Sequence, residues 1–169
     1  MRYRLDVVAH DVVDVVRNAG GWIVDRVMAG WDVTVLTEDR ADIRPLQILG
    51  VATLPLEDVL ASWEGRPHPQ TVAVAADLFD RDPRVRRGVL GALEQGHTEV
   101  TLWGDRWPAE LSDGIGAVQH QLSAAARAFK AQALAAANDL EADFVTGTET
   151  FRSGVMTRLP MVSDLIPAS

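Results

Sequence analysis

Five acidic residues stand just past runs that read as β-strands: Glu38 and Asp39 after 32–36, Asp77 and Asp80 after 71–76, and Asp105 after 97–104. In an open α/β sheet, ligands sit outside the carboxyl ends of the strands. Carboxylates there could hold a ribose hydroxyl, or a hydrated Mg²⁺ together with phosphate oxygens. The competing reading is a set of solvated strand ends in a chain rich in carboxylates throughout. Arg81, Arg84, Arg86 and Arg87 follow closely, and the planar fork of Arg84 or Arg87 suits a phosphate. Asp77, Asp80 and Asp82 interleave with them, so self-neutralising surface pairs explain the same letters. In WGDRWP, Trp103 and Trp107 bracket Gly104, Asp105 and Arg106. Tryptophan and arginine recur at binding hot spots, so this loop reads as a binding wall. Packing of the tryptophans against a helix is the alternative.

Asp6, His10 and Asp14 are four residues apart, a spacing that would place a metal-binding face on one helix. That face requires a helix beginning before Asp6, against the strand-like YRLDVVA at 3–9, whereas His10 and Asp11 as capping residues need no such helix. His68 lies in the PHP loop, His97 precedes a strand, and His120 falls on the polar face of a long helix. The dinucleotide fingerprint needs glycines between the first strand and its helix. VVAHDVVD contains none, and Gly20-Gly21 comes too near the following strand. The GxxxxGK[ST] loop and the GxSxG elbow are both absent. A receiver-like phospho-acceptor site needs a lysine after a late strand, where Gly104-Asp105-Arg106 stands.

Composition narrows the classes further. At 169 residues the chain is long enough for one domain with a substantial core, and 47% hydrophobic and 24% charged residues are globular values. A formal charge of −8 disfavours non-specific nucleic-acid binding, which needs cations to displace counterions. No apolar run is long enough to span a membrane. Asp6, Asp11 and Asp14 interrupt what would be the apolar core of a secretory signal. Zero cysteines remove disulfides, thiolate metal sites and cysteine nucleophiles, in keeping with a cytoplasmic protein. Fifteen arginines face a single lysine, Lys130, and with abundant Ala, Val, Asp and Gly this points to a GC-rich, actinobacterial-type genome.

The elements that must position these residues follow from periodicity. Apolar Val12, Val16, Ala19, Ile23 and Val27 give a helix over 11–29 with Asp11 as N-cap, despite Gly20-Gly21. The rival is a strand at 11–16, a glycine turn and a helix at 22–29. Strands follow at 32–36 and 46–54; the nine residues between them are too few for a helical crossover, so an antiparallel pair is expected. A short helix over 55–63, a loop over 64–70 and a strand over 71–76 come next. Asp82 caps a helix that Gly96 ends, and 97–104 is a strand. The longest helix spans 115–138, with Ile115, Val118, Leu122, Ala126, Phe129 and Ala133 as its stripe. These elements divide the chain into an α/β domain over 1–138 and a C-terminal extension over 139–169, read as a short hairpin, a docking arm or a partly disordered tail.

The sequence therefore predicts a single α/β domain: a mixed, partly antiparallel sheet of four to five strands covered by helices, Rossmann-like in layering. The preferred function is a non-catalytic module rather than an enzyme, a homodimer binding a partner protein or small ligand, without a cofactor. Asp77, Asp80, Arg81, Trp103, Asp105, Arg106 and Trp107 would carry the contacts. The alternative is a small Mg²⁺-dependent enzyme acting on a nucleotide or phosphorylated metabolite.

Overall fold

Residues 4–9 are strand, not helix: β1 (Arg4–Ala9) is buried along almost its whole length, and α1 (Val12–Met28) begins beyond it. The computed structural model describes residues 2–61, 68–104, 116–139, 145–154 and 166–167. Asp11 caps α1 by accepting a hydrogen bond from the Asp14 amide at 2.8 Å. That satisfies one of the orphan donors of the first turn. The helix runs unbroken through Gly20-Gly21, and packing explains the pair. A Cβ on Gly21 would lie 2.2 Å from Leu122 Cδ2, and one on Gly20 would touch Val16 and Lys130.

β2 (Asp32–Thr37) lies parallel to β1, and β3 (Ala52–Pro55) lies parallel to β2. This corrects the expected antiparallel pair. Leu46 to Leu49, apolar enough to pass for strand, belong to the helix α2 (Arg44–Leu49), which Gly50 closes in the left-handed conformation at φ 83°. The strand starts only at Ala52, so residues 38–51 make the connection, and that exceeds the dozen or so a parallel crossover needs. Next come α3 (Leu56–Ala61), β4 (Thr71–Ala75), α4 (Ala76–Arg81), α5 (Pro83–Gln95) and β5 (Glu99–Trp103). Asp82 caps α5 and Gly96 ends it at φ 70°, as the sequence implies.

The long helix expected at 115–138 is two elements. β6 (Gly116–Gln121) takes its first part, and α6 (Ala124–Ala136) starts at Ser123, whose hydroxyl accepts from the Ala126 amide. Alanine bias masked the change of period at Leu122. Of the expected stripe, Ala126 and Ala133 are buried on α6 while Phe129 is 45% exposed; Ile115 lies outside the described residues. The segment expected as an extension supplies β7 (Thr148–Gly154), antiparallel to both β5 and β6, and a short β8 (Ile166–Pro167).

The sheet order is β3-β2-β1-β4-β5-β7-β6-β8, eight strands among the described residues rather than four to five. The sheet is mixed and helix-covered, as the sequence predicts. Strands are added outward from β1 to β3, then from β4 to β5 on the opposite side. Because such crossovers are right-handed, reversing the direction puts α4 and α5 on the face opposite α1 and α2. α6 joins the layer of α1 and α2. The reversal makes the carboxyl ends of β1 and β4 the topological switch point, where α/β sheets place their ligands. Among the described residues, no helix is long and apolar enough to cross a membrane.

Candidate functional site at the carboxyl edge of β1

His10 is the first residue past β1, and Glu38 is the first past β2. Ala9 is paired in register with Thr37, so the two following residues emerge side by side. His10 Nδ1 lies 2.7 Å from Glu38 Oε2, and the His10 carbonyl accepts from the Asp39 amide at 2.9 Å. A carboxylate only accepts, so a neutral His10 must carry its proton on Nδ1 and keep Nε2 as an acceptor. Arg81 Nη2 stands 3.4 Å from the same Glu38 oxygen, which brings α4 to the dyad. The imidazole is 48% exposed and the carboxylate 26%, so the pair opens to solvent.

Asp14 enters from the first turn of α1. Its Oδ2 accepts from the Trp103 indole at 3.0 Å and its Oδ1 from Asn18 Nδ2 at 2.9 Å. Burial pushes its pKa above the ordinary aspartate value; the Trp103 hydrogen bond opposes this, and the nearby charges of Asp77 and Asp11 reinforce it. The site thus joins an oriented, solvent-facing histidine to a half-buried carboxyl four residues further on, whose pKa burial raises.

The other candidates separate under the structure. Asp77 sits in the first turn of α4, where its Oδ1 accepts from the Leu78 amide at 2.8 Å. Asp80 is exposed on the same helix, and its carbonyl accepts from Arg86. Trp103 is no exposed wall: it ends β5, 2% exposed, and meets the site only through its indole N–H. Asp105, Arg106 and Trp107 lie outside the described residues. Arg84 grips Glu57 through two hydrogen bonds of 2.9 and 2.7 Å and also contacts Asp82, so it already has carboxylate partners. These contacts hold the Arg84 guanidinium above its ordinary pKa. Asp6 is buried within β1, 3.8 Å from Arg4, so no helix face joins it to His10 and Asp14. Glu38 is not a plain solvated strand end. The signal for its pairing with His10 was available only once β1 and β2 were known to be parallel neighbours.

A second polar cluster lies near the other end of α1. Asp25 is the common partner of His120 Nε2 at 2.7 Å and Ser123 Oγ at 2.5 Å. Its carboxyl is held below the ordinary aspartate value by the Ser123 and His120 hydrogen bonds, which together outweigh burial. Since Ser123 also caps α6, this cluster ties α1, β6 and α6 together.

No family model matches the chain, and no curated protein does. Solved structures do share its fold. The zinc-inhibited form of teicoplanin deacetylase is 16% identical, with 92% of this chain and 99% of that chain covered and a TM-score of 0.64. A triple mutant of a deacetylase of the teicoplanin pathway is 18% identical over 89% and 96%, with a TM-score of 0.61. The 4-carboxy-2-hydroxymuconate hydratase of Pseudomonas putida is 15% identical over 96% and 98%, with a TM-score of 0.58. At such identities the likeness is one of fold.

These likenesses correct the expectation of a non-catalytic binding module, because the proteins sharing the architecture are enzymes. The expectation of no cofactor is corrected as well, since a zinc-inhibited form stands among them, and nothing favours Mg²⁺. Among the described residues, no three His, Asp or Glu side chains are grouped to hold one ion. His10 is tied to Glu38, and Asp14 to Trp103 and Asn18. The described donors alone do not form a metal cage.

Proposed function

We propose that this chain is an enzyme that uses water to cleave an N-acyl amide of a small molecule, at the carboxyl edge of β1 and β4. The observation that carries the reading is the 2.7 Å contact of His10 Nδ1 with Glu38, four residues before the half-buried carboxyl of Asp14. His10 Nε2 takes a proton from water as its oxygen bonds to the acyl carbon, and Glu38 balances the imidazolium. The carbon–nitrogen bond then breaks, and Asp14 delivers its proton to the leaving amine. The products are a carboxylic acid and an amine, and the proton on His10 returns Asp14 to its starting state. A general acid and a general base each contribute about 10²- to 10⁴-fold when so placed. Asp77 and Arg81, on α4 beside the dyad, are the substrate-contacting candidates. The activity of the teicoplanin deacetylases supports this reaction, and the same groups suit a hydration, the class of reaction for which the hydratase is named.

The test is amine release from a panel of N-acetylated amino compounds, run beside loss of ultraviolet absorbance from unsaturated dicarboxylic acids, with and without added Zn²⁺. Turnover abolished by His10→Gln and by Asp14→Asn is expected. Turnover that survives both substitutions, or none on either panel, would sink the proposal.

A further inference from the structure

Trp103 reaches Asp14 across an intervening strand. β5 is not a neighbour of β1, since β4 lies between them, and adjacent strands are about 4.8 Å apart. Trp103 is paired in register with Ala75, and β1 is aligned with β4 so that Ala9 comes level with Ala75. The side chains at these three positions share one face of the sheet. Two of them are alanine, small enough to leave room on that face for the indole. At the next position a Cβ on Gly104, at φ 134°, would stand 3.3 Å from the Ala76 Cβ, so the chain can leave β5 close to α4 only as glycine. The run of small residues in TVAVAA therefore has a purpose beyond burial: it makes room for a tryptophan to cross.

We infer that Trp103 is a positioning residue of the site, which turns Asp14 so that any proton it carries faces the open sheet edge. The inference rests on Asp14 acting in the proposed reaction. An indole N–H donates and never accepts, so the lone pair on Oδ2 that faces it cannot hold a proton. Asn18 Nδ2 occupies a lone pair of Oδ1 in the same way. The sites left on Asp14 are the second lone pairs, directed away from both donors. Trp103 is 2% exposed and the indole can swing only with the core, so this orientation is built in before substrate arrives. Such preorganisation is what an acid needs to deliver a proton in one direction.

The experiment follows the Trp103 indole ¹H–¹⁵N resonance and the aspartate side-chain ¹³C carboxyl resonances of the whole chain through a pH titration. Asp14 is identified by the signal missing from Asp14→Asn. The indole resonance is expected to titrate with the Asp14 midpoint in the wild type and to be pH-independent in Asp14→Asn. In Trp103→Phe the Asp14 midpoint is expected to move to higher pH, because a donor to the carboxylate is gone. An indole signal indifferent to Asp14 in the wild type overturns the inference even if Trp103→Phe does not fold. Coupled titration together with full turnover by Asp14→Asn would leave the contact standing and overturn the acid role. Absent coupling with an inactive Asp14→Asn would do the reverse.

Discussion

Lys130 and Glu149 meet inside the hydrogen-bond ladder of α1. Lys130 Nζ lies 2.7 Å from Glu149 Oε2 and 2.7 Å from the Arg17 carbonyl, while Glu149 accepts from the amides of Gly21 at 2.9 Å and Trp22 at 2.6 Å. An ion pair from α6 and β7 is thus spliced into the middle of the helix whose first turn carries Asp14. Both side chains are almost fully buried, at 6% and 2% exposure. Burial pushes the Glu149 pKa up, with Lys130 and the two amides opposing it. The only lysine of the chain is therefore structural, and the small residues of α1 let it in.

Removing either partner has unequal consequences. Glu149→Leu strands a buried ammonium and leaves two amides without their side-chain acceptor, so a loss of about 3–5 kcal/mol is expected. Lys130→Met costs less, because Glu149 keeps its amide donors and can take up a proton. Urea unfolding of the two variants checks the order; equal losses would contradict it.

Two glycine-to-alanine changes in helices should move stability in opposite directions. Gly91→Ala in α5 meets nothing within 4 Å and should stabilise by about 0.5–1 kcal/mol through helix propensity. Gly21→Ala would meet Leu122 at 2.2 Å and should destabilise by about 1–3 kcal/mol despite the same propensity gain. Adding Leu122→Ala to Gly21→Ala should relieve the clash itself, a non-additivity readable in a double-mutant cycle.

Asp25 should shape the acid limb of stability. Its pKa is lowered on folding, so its contribution is fully present above the ordinary 3.8 and is lost as pH falls toward the folded value. Asp14 runs the other way: its pKa is raised, so its contribution is present below 3.8 and is lost as pH rises through the folded value. Asp25→Asn should accordingly cost stability at neutral pH and progressively less in acid. Thermal unfolding of wild type and variant over a pH series decides this, and a constant difference at every pH would refute it.

Within the proposed reaction, His10 and Glu38 should not be equivalent. His10→Gln is expected to lower kcat by about 10²- to 10⁴-fold, the usual contribution of a general base. Glu38→Gln keeps the shape but loses the charge that balances the imidazolium, so a smaller fall in kcat with little change in KM is expected. Steady-state kinetics on whichever substrate the amide panel yields would measure both.

Much of the architecture was legible in local signals. Asp11 and Asp82 announced two helix starts because a short acidic side chain satisfies first-turn amides. Gly96 marked a helix end because the left-handed turn there suits glycine. Strand pairing was not legible wherever a short apolar run fits either period, as in Leu46 to Leu49, or where alanine bias hides a boundary, as at Leu122. Those two misreadings displaced β3 and concealed β6. Composition and the missing motifs excluded a dinucleotide fingerprint, a phosphate loop and cysteine chemistry without any structure.

Only the tertiary structure decided the site. His10 and Glu38 are far apart along the chain, and nothing in either neighbourhood requires their meeting. They touch because β1 and β2 are parallel and in register, so that the residue after each strand end emerges at the same level. Trp103 and Asp14 meet for a similar reason, across a strand whose alanines leave room. Local sequence specifies elements through nearest-neighbour physics. Contacts between their ends depend on strand order and register, which the packing of the whole sheet determines.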